Sequence, residues 1–115
     1  MKIVGKHVYG NLYECEADLS NENFLQEIII KAVEISNSKL EKLISYKFGK
    51  GFGVSIIAIV SESHISIHTW PEYNYATVDV YTCGNHTEPE KAFDYIVKEL
   101  KPKKITKHIV DRSLE

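Results

Sequence analysis

The sequence predicts an α+β fold: a two-layer sandwich in which a mostly antiparallel sheet carries two helices on one face. Three observations lead there. Strand-like runs outnumber helical ones, most neighbouring runs are joined by turns too short for a crossover, and each of two helical segments carries a single apolar stripe that must be buried against a common surface. With 115 residues, the chain suits one domain spanning residues 1–115, with a core large enough to need no staples.

Residues 2–13 alternate loosely, with Ile3, Val8, Leu12 and Tyr13 set among polar residues, and read as a first strand in which Gly5 and Gly10 suit bends or bulges. Ala17 to Asn21 supplies helix caps. Residues 22–37 then place Phe24, Leu25, Ile28, Ile29, Ala32, Val33 and Ile35 at helical spacing. Leu40, Leu43, Ile44 and Tyr46 lead into Gly49, Gly51 and Gly53. These glycines read as a turn and not as a phosphate-binding loop, because β-branched Val54, Ile56 and Ile57 follow where a phosphate loop needs a helix.

Residues 53–61 are a strand, and 64–70 and 75–83 are two more across Pro71 to Asn74. Alternation sets Ile65, Ile67 and Thr69 on one face and His64, Ser66, His68 and Trp70 on the other; Asp79, Tyr81 and Cys83 share a face in the next strand. Cross-strand pairing is expected to bring Cys83 near the start of the preceding strand. Thr87 and Glu90 have capping-box spacing ahead of a helix whose apolar positions are Ala92, Phe93, Ile96, Val97 and Leu100; Pro102 ends it, and residues 105–110 read as a last strand. The sheet face bearing His68 and Trp70 is left to be solvated, to line a ligand site, or to be covered by a second subunit.

Apolar content of 43%, charged content of 26% and a formal charge of -2 offer no electrostatic case for nucleic acid or an anionic membrane. The N-terminal residues do not read as a signal peptide and no window suits a membrane span, so a cytoplasmic protein is expected. Cys15 and Cys83 lack the spacing of a disulfide framework or a zinc site, and Cys15 reads as a small buried hydrophobe. His64 and His68 cannot share an ion, since four strand positions separate them by about 13 Å. No G-x-S-x-G elbow surrounds Ser55, Ser61, Ser63 or Ser66, which leaves a serine hydrolase without its motif.

The strings Ser61-Glu62-Ser63-His64, Ile67-His68-Thr69-Trp70-Pro71-Glu72 and Asp79-Val80-Tyr81-Thr82-Cys83-Gly84 together resemble the short prokaryotic S-adenosylmethionine decarboxylase proenzymes. The resemblance extends colinearly to Gly5-Lys6-His7, Leu12 to Cys15, Gly53-Val54-Ser55 and Lys91-Ala92-Phe93. It implies self-cleavage between Glu62 and Ser63 into chains 1–62 and 63–115, through attack of the Ser63 hydroxyl on the Glu62 carbonyl. Ser63 is thereby expected to become a pyruvoyl group that forms a Schiff base with an amino-acid-type substrate, without metal or pyridoxal phosphate. By the same resemblance His68 accepts a proton during processing, Ser55 assists, Cys83 is the proton donor after decarboxylation, and Trp70 and Glu72 contact substrate. Homodimers of processed protomers, with active sites at or near the subunit contact, and a role in spermidine and polyamine synthesis are also implied.

The loop from Tyr46 to Ile56 departs from the family's pattern, which has a histidine two residues before an aromatic and then a proline ahead of Gly-Val-Ser-Gly. Phe48 and Phe52 are the candidates for the adenine-stacking aromatic. The alternatives left open are an arginine or ornithine decarboxylase on the same scaffold, and an unprocessed binding or regulatory homologue.

Overall fold

The structure, a computed structural model, describes residues 2–115. In chain order it comprises β1 (Gly5–Tyr13), α1 (Glu22–Ile35), β2 (Leu40–Lys47), β3 (Val54–Val60), β4 (Ser63–Trp70), β5 (Tyr75–Cys83), α2 (Pro89–Leu100), β6 (Lys104–Ile105) and β7 (His108–Asp111). The strands form a seven-stranded sheet in the order β2-β3-β4-β5-β1-β6, with β7 also pairing with β1. Each of these pairings is antiparallel. The expected architecture is the observed one, with both helices packed on one face of the sheet.

The period-two pattern of the strands explains that choice of face. Val54, Ile56, Ala58 and Val60 of β3, Ile65 and Ile67 of β4, and Ala76, Val78 and Val80 of β5 are buried against Leu25, Ile28, Ile29, Phe93 and Ile96 of the helices. The residues between them face away from the helices. Among the described residues no helix is long and apolar enough to cross a membrane.

Several local expectations are adjusted by tertiary contacts. Residues 40–47, read only as an apolar lead-in, form strand β2 at the edge of the sheet. The last strand divides into β6 and β7, both lying along β1. Pairing of β1 with β5 continues unshifted through Gly10. The glycine there answers a close approach and not a bulge: a Cβ at Gly10 would lie 1.9 Å from the Thr106 carbonyl oxygen. Gly49 and Gly51 have positive φ, as the turn reading requires.

Asn21 caps α1 by accepting from the Phe24 N–H. The capping box expected at α2 does not form. Glu88 takes the cap position without a side-chain bond, Pro89 opens the helix, and the buried Thr87 hydroxyl donates to the Gly84 carbonyl while accepting from Thr82.

Thr69 anchors the segment that leads into the site. Its buried hydroxyl accepts from the Val54 N–H at 2.9 Å and donates to the Leu19 carbonyl at 2.8 Å. Thr69→Val keeps the shape and removes both bonds, so it is expected to lower unfolding free energy by about 1–3 kcal/mol. A fall in the urea midpoint at unchanged slope measures this.

Candidate active site

Strands β3 and β4 are joined by a two-residue turn, Ser61-Glu62, because Val60 pairs directly with Ser63. Ser63 closes that turn at φ +144°, a region that residues with a Cβ rarely adopt and that costs on the order of 1–3 kcal/mol. Its hydroxyl oxygen lies 3.6 Å from Sγ of Cys83, the last residue of β5. The Cys83 N–H in turn donates to the Glu62 carbonyl at 2.8 Å. One residue of β5 therefore meets both sides of the Glu62–Ser63 peptide bond, as cross-strand pairing predicts.

The carboxylate of Glu62 is also held. It accepts from the Lys39 N–H at 3.0 Å and meets His86 Nε2 at 2.8 Å. The His86 bond first, and then the Lys39 bond, keep its pKa below the ordinary carboxylate range. Tyr81 reaches the same corner, where its hydrogen bond with the Cys83 thiol and then desolvation raise the phenol's pKa.

The second group of predicted residues sits near the far end of β4. His68 pairs with Ser55 across the β3–β4 ladder, and its Nδ1 lies 2.8 Å from the Ser55 hydroxyl. Both line a cavity of about 370 Å³ together with Phe48, Phe52, Trp70 and Glu72. This gathers every predicted substrate contact in one place. Phe48, Phe52 and Trp70 keep much of their ring surface exposed, so aromatic faces are available beside one carboxylate. The 46–53 loop that departs from the family's pattern still delivers two aromatic rings to the cavity.

The structure does not bring these two groups together in one chain. Ser63 and His68 are five positions apart on one extended strand, a separation of about 17 Å. Between them the open sheet face carries His7, His64 and Asp79, with His7 Nε2 2.8 Å from the Asp79 carboxylate. Desolvation lowers the His64 pKa against the opposing pull of Asp79, with His7 and Arg112 adding to the lowering. Among the described residues no three His, Cys, Asp or Glu side chains converge as a metal ligand set.

Comparison with known proteins bears on this geometry. The model of the family described as S-adenosylmethionine decarboxylase matches residues 6–113. The chain belongs to the S-adenosylmethionine decarboxylase family. It is 56% identical over 113 residues to the S-adenosylmethionine decarboxylase proenzyme of Pyrobaculum islandicum, covering 97% of this chain and 90% of that protein. It is also 55% identical over 114 residues to a Hyperthermus butylicus protein named arginine decarboxylase proenzyme, with 96% and 80% covered. The crystal structure of the adenosylmethionine decarboxylase from Aquifex aeolicus superposes with a TM-score of 0.87 at 37% identity, covering 97% of this chain and 92% of that one.

Sequence reasoning missed how family residues are supported. The bonds from Lys39 and His86 to Glu62 join positions 23 and 24 residues apart, and no local pattern announces them. The two thiols also differ in setting. Cys15 is buried with its pKa pushed up to about 11 by desolvation, while Cys83 is partly exposed. Brief iodoacetamide treatment of the native protein at pH 8 is expected to alkylate Cys83 and spare Cys15 until denaturant is added, as peptide mass mapping will report.

Proposed function

We propose that the chain is the proenzyme of a pyruvoyl-dependent S-adenosylmethionine decarboxylase, activated by its own cleavage between Glu62 and Ser63. The observation that carries this reading is the strained Glu62–Ser63 junction, held by Cys83 in a chain that belongs to the family. Attack of the Ser63 hydroxyl on the Glu62 carbonyl carbon needs the carbonyl polarised and the serine prearranged. The Cys83 N–H supplies a donor where the oxyanion develops, and the turn at Ser63 brings its side chain and the preceding carbonyl into one tight bend.

An N→O acyl shift replaces the amide with an ester to Ser63. Loss of the Ser63 Cα proton then expels Glu62 as a new C-terminal carboxylate. Water releases the former Ser63 nitrogen as ammonia, and chains 1–62 and 63–115 result. The residues fit the group so formed, because the Ser63 side chain sits against a thiol and next to a polarising amide. A pyruvoyl group there supplies an electrophilic carbonyl that captures the substrate's α-amine and accepts the electrons released with carbon dioxide. Cys83, 3.6 Å from the Ser63 oxygen, is placed to return a proton to the carbon that lost carbon dioxide.

His68 and Ser55 carry out their part across a subunit boundary. A strand cannot fold back to join its own two ends, so the Ser63–Cys83 corner of one copy meets the Ser55–His68 cavity of a second. Exposed Ile44, Tyr46, Ile59, Trp70 and Val110 on the open face supply apolar surface for that dimer. His68, polarised through Ser55, accepts the proton during processing. The aromatic rings of Phe48, Phe52 and Trp70 take the adenine, and Glu72 faces the sulfonium charge.

The same carboxylate and rings also suit a guanidinium, and a relative at 55% identity is named for arginine. Release of carbon dioxide from S-adenosylmethionine, and not from arginine or ornithine, is the expected result; turnover of arginine alone would reverse the assignment.

Intact mass of freshly purified protein is expected to show fragments 1–62 and 63–115, the second blocked by a pyruvoyl group, and a single uncut chain for Ser63→Ala. Neither Ser63→Ala nor His68→Ala is expected to be active alone. Refolded together, they are expected to regain up to about half of wild-type activity per mixed dimer, because one of its two sites is complete. A site contained within one chain would regain none.

A further inference from the structure

We propose that His86 is a positioning residue for self-cleavage: with the Lys39 amide it clamps the Glu62 carboxylate and so holds the scissile carbonyl on the Cys83 N–H. This rests on the cleavage reading above.

The acyl shift makes no chemical demand on the Glu62 side chain, yet both its oxygens are engaged. Oε1 accepts from the Lys39 N–H at 3.0 Å and Oε2 meets His86 Nε2 at 2.8 Å. Although it projects from a hairpin tip, this side chain is only 15% exposed. His86 is itself fixed. Its backbone carbonyl accepts from the Asn37 side chain at 2.9 Å, and its ring packs over Gly84, where a Cβ would come within 2.7 Å of it.

Gly84 has φ +108° and donates its N–H to the Val4 carbonyl at 2.7 Å, so the base under the imidazole is tied to the sheet. The Ser61 N–H donates to the Lys39 carbonyl at 2.9 Å, and the Ser61 hydroxyl bonds to Glu41. Two separate segments, the chain after α1 and the loop between β5 and α2, thus converge on the hairpin tip that carries the residue before the scissile bond.

The convergence has a mechanical purpose. A positive φ at Ser63 relaxes most readily by rotation of the Glu62–Ser63 peptide plane, and that rotation would take the carbonyl off the Cys83 N–H. The carboxylate bonds hold the Glu62 side chain, and with it the Cα on which that plane pivots, so the carbonyl stays within reach of the Cys83 N–H and a shift of the whole turn would break a charge-assisted bond. The strain is then spent on the acyl shift and not on relaxation of the turn. An N–H donor at His86 suffices for this, which glutamine also presents.

The test is a time course of fragment appearance, by intact mass, after cell-free synthesis of the full chain. His86→Ala is expected to slow cleavage roughly five- to tenfold, while His86→Gln stays within about twofold of wild type. In the uncleavable Ser63→Ala background, adding His86→Ala is expected to leave the melting temperature nearly unchanged. Cleavage of His86→Ala at the wild-type rate, equal slowing by His86→Gln, or a large drop in that melting temperature would each overturn the clamp while leaving self-cleavage standing. A wild-type chain that never cuts would instead overturn the cleavage reading, and the clamp with it.

Discussion

The antiparallel ladder that seats β4 between β3 and β5 is the constraint on which the rest of the site depends. Its register sets Ser63 opposite Thr82 and next to Cys83, and five positions later sets His68 opposite Ser55. A one-residue slip would send every side chain of β4 to the other face, exchanging Ile65 and Ile67 of the core for a serine and a histidine. Because burial of those isoleucines forbids the slip, hydrophobic packing on the helix face dictates which polar groups meet on the other.

The same ladder keeps the two polar groups apart. Extended strands are stiff and about 3.3 Å long per residue, so a serine and a histidine five positions apart are held at a distance no side chain can span. The open sheet face carries polar groups at both ends of β4 and exposed apolar residues on the strands around it, Ile44 and Tyr46 of β2, Ile59 of β3 and Val110 of β7. The proposed dimer answers this separation by setting one end of the strand against the other end in a second copy.

Strain and clamping act together at the hairpin. A serine at φ +144° would be unfavourable in a turn free to relax, and here the turn that holds it is tied by bonds to Lys39, His86 and Cys83. The low pKa of Glu62 follows from the same arrangement: the bonds that favour its charged form are those that immobilise the turn.

The sequence determined a good deal by itself. Period-two alternation in HISIHTW and ATVDVYTC assigns each side chain to its face, helical spacing in residues 22–37 and 89–100 locates both helices, and the central motifs announce the family. Those signals are legible because they are local, repeating at two or at three to four residues. Tertiary structure decided the rest. Whether residues 40–47 became a strand, which glycine faced a crossing backbone, why Thr87 abandoned its capping box for Thr82, and where Glu62 found His86 all depend on segments distant in sequence. No period encodes such meetings, and only the closed sheet with its helices in place fixes the distances that make them.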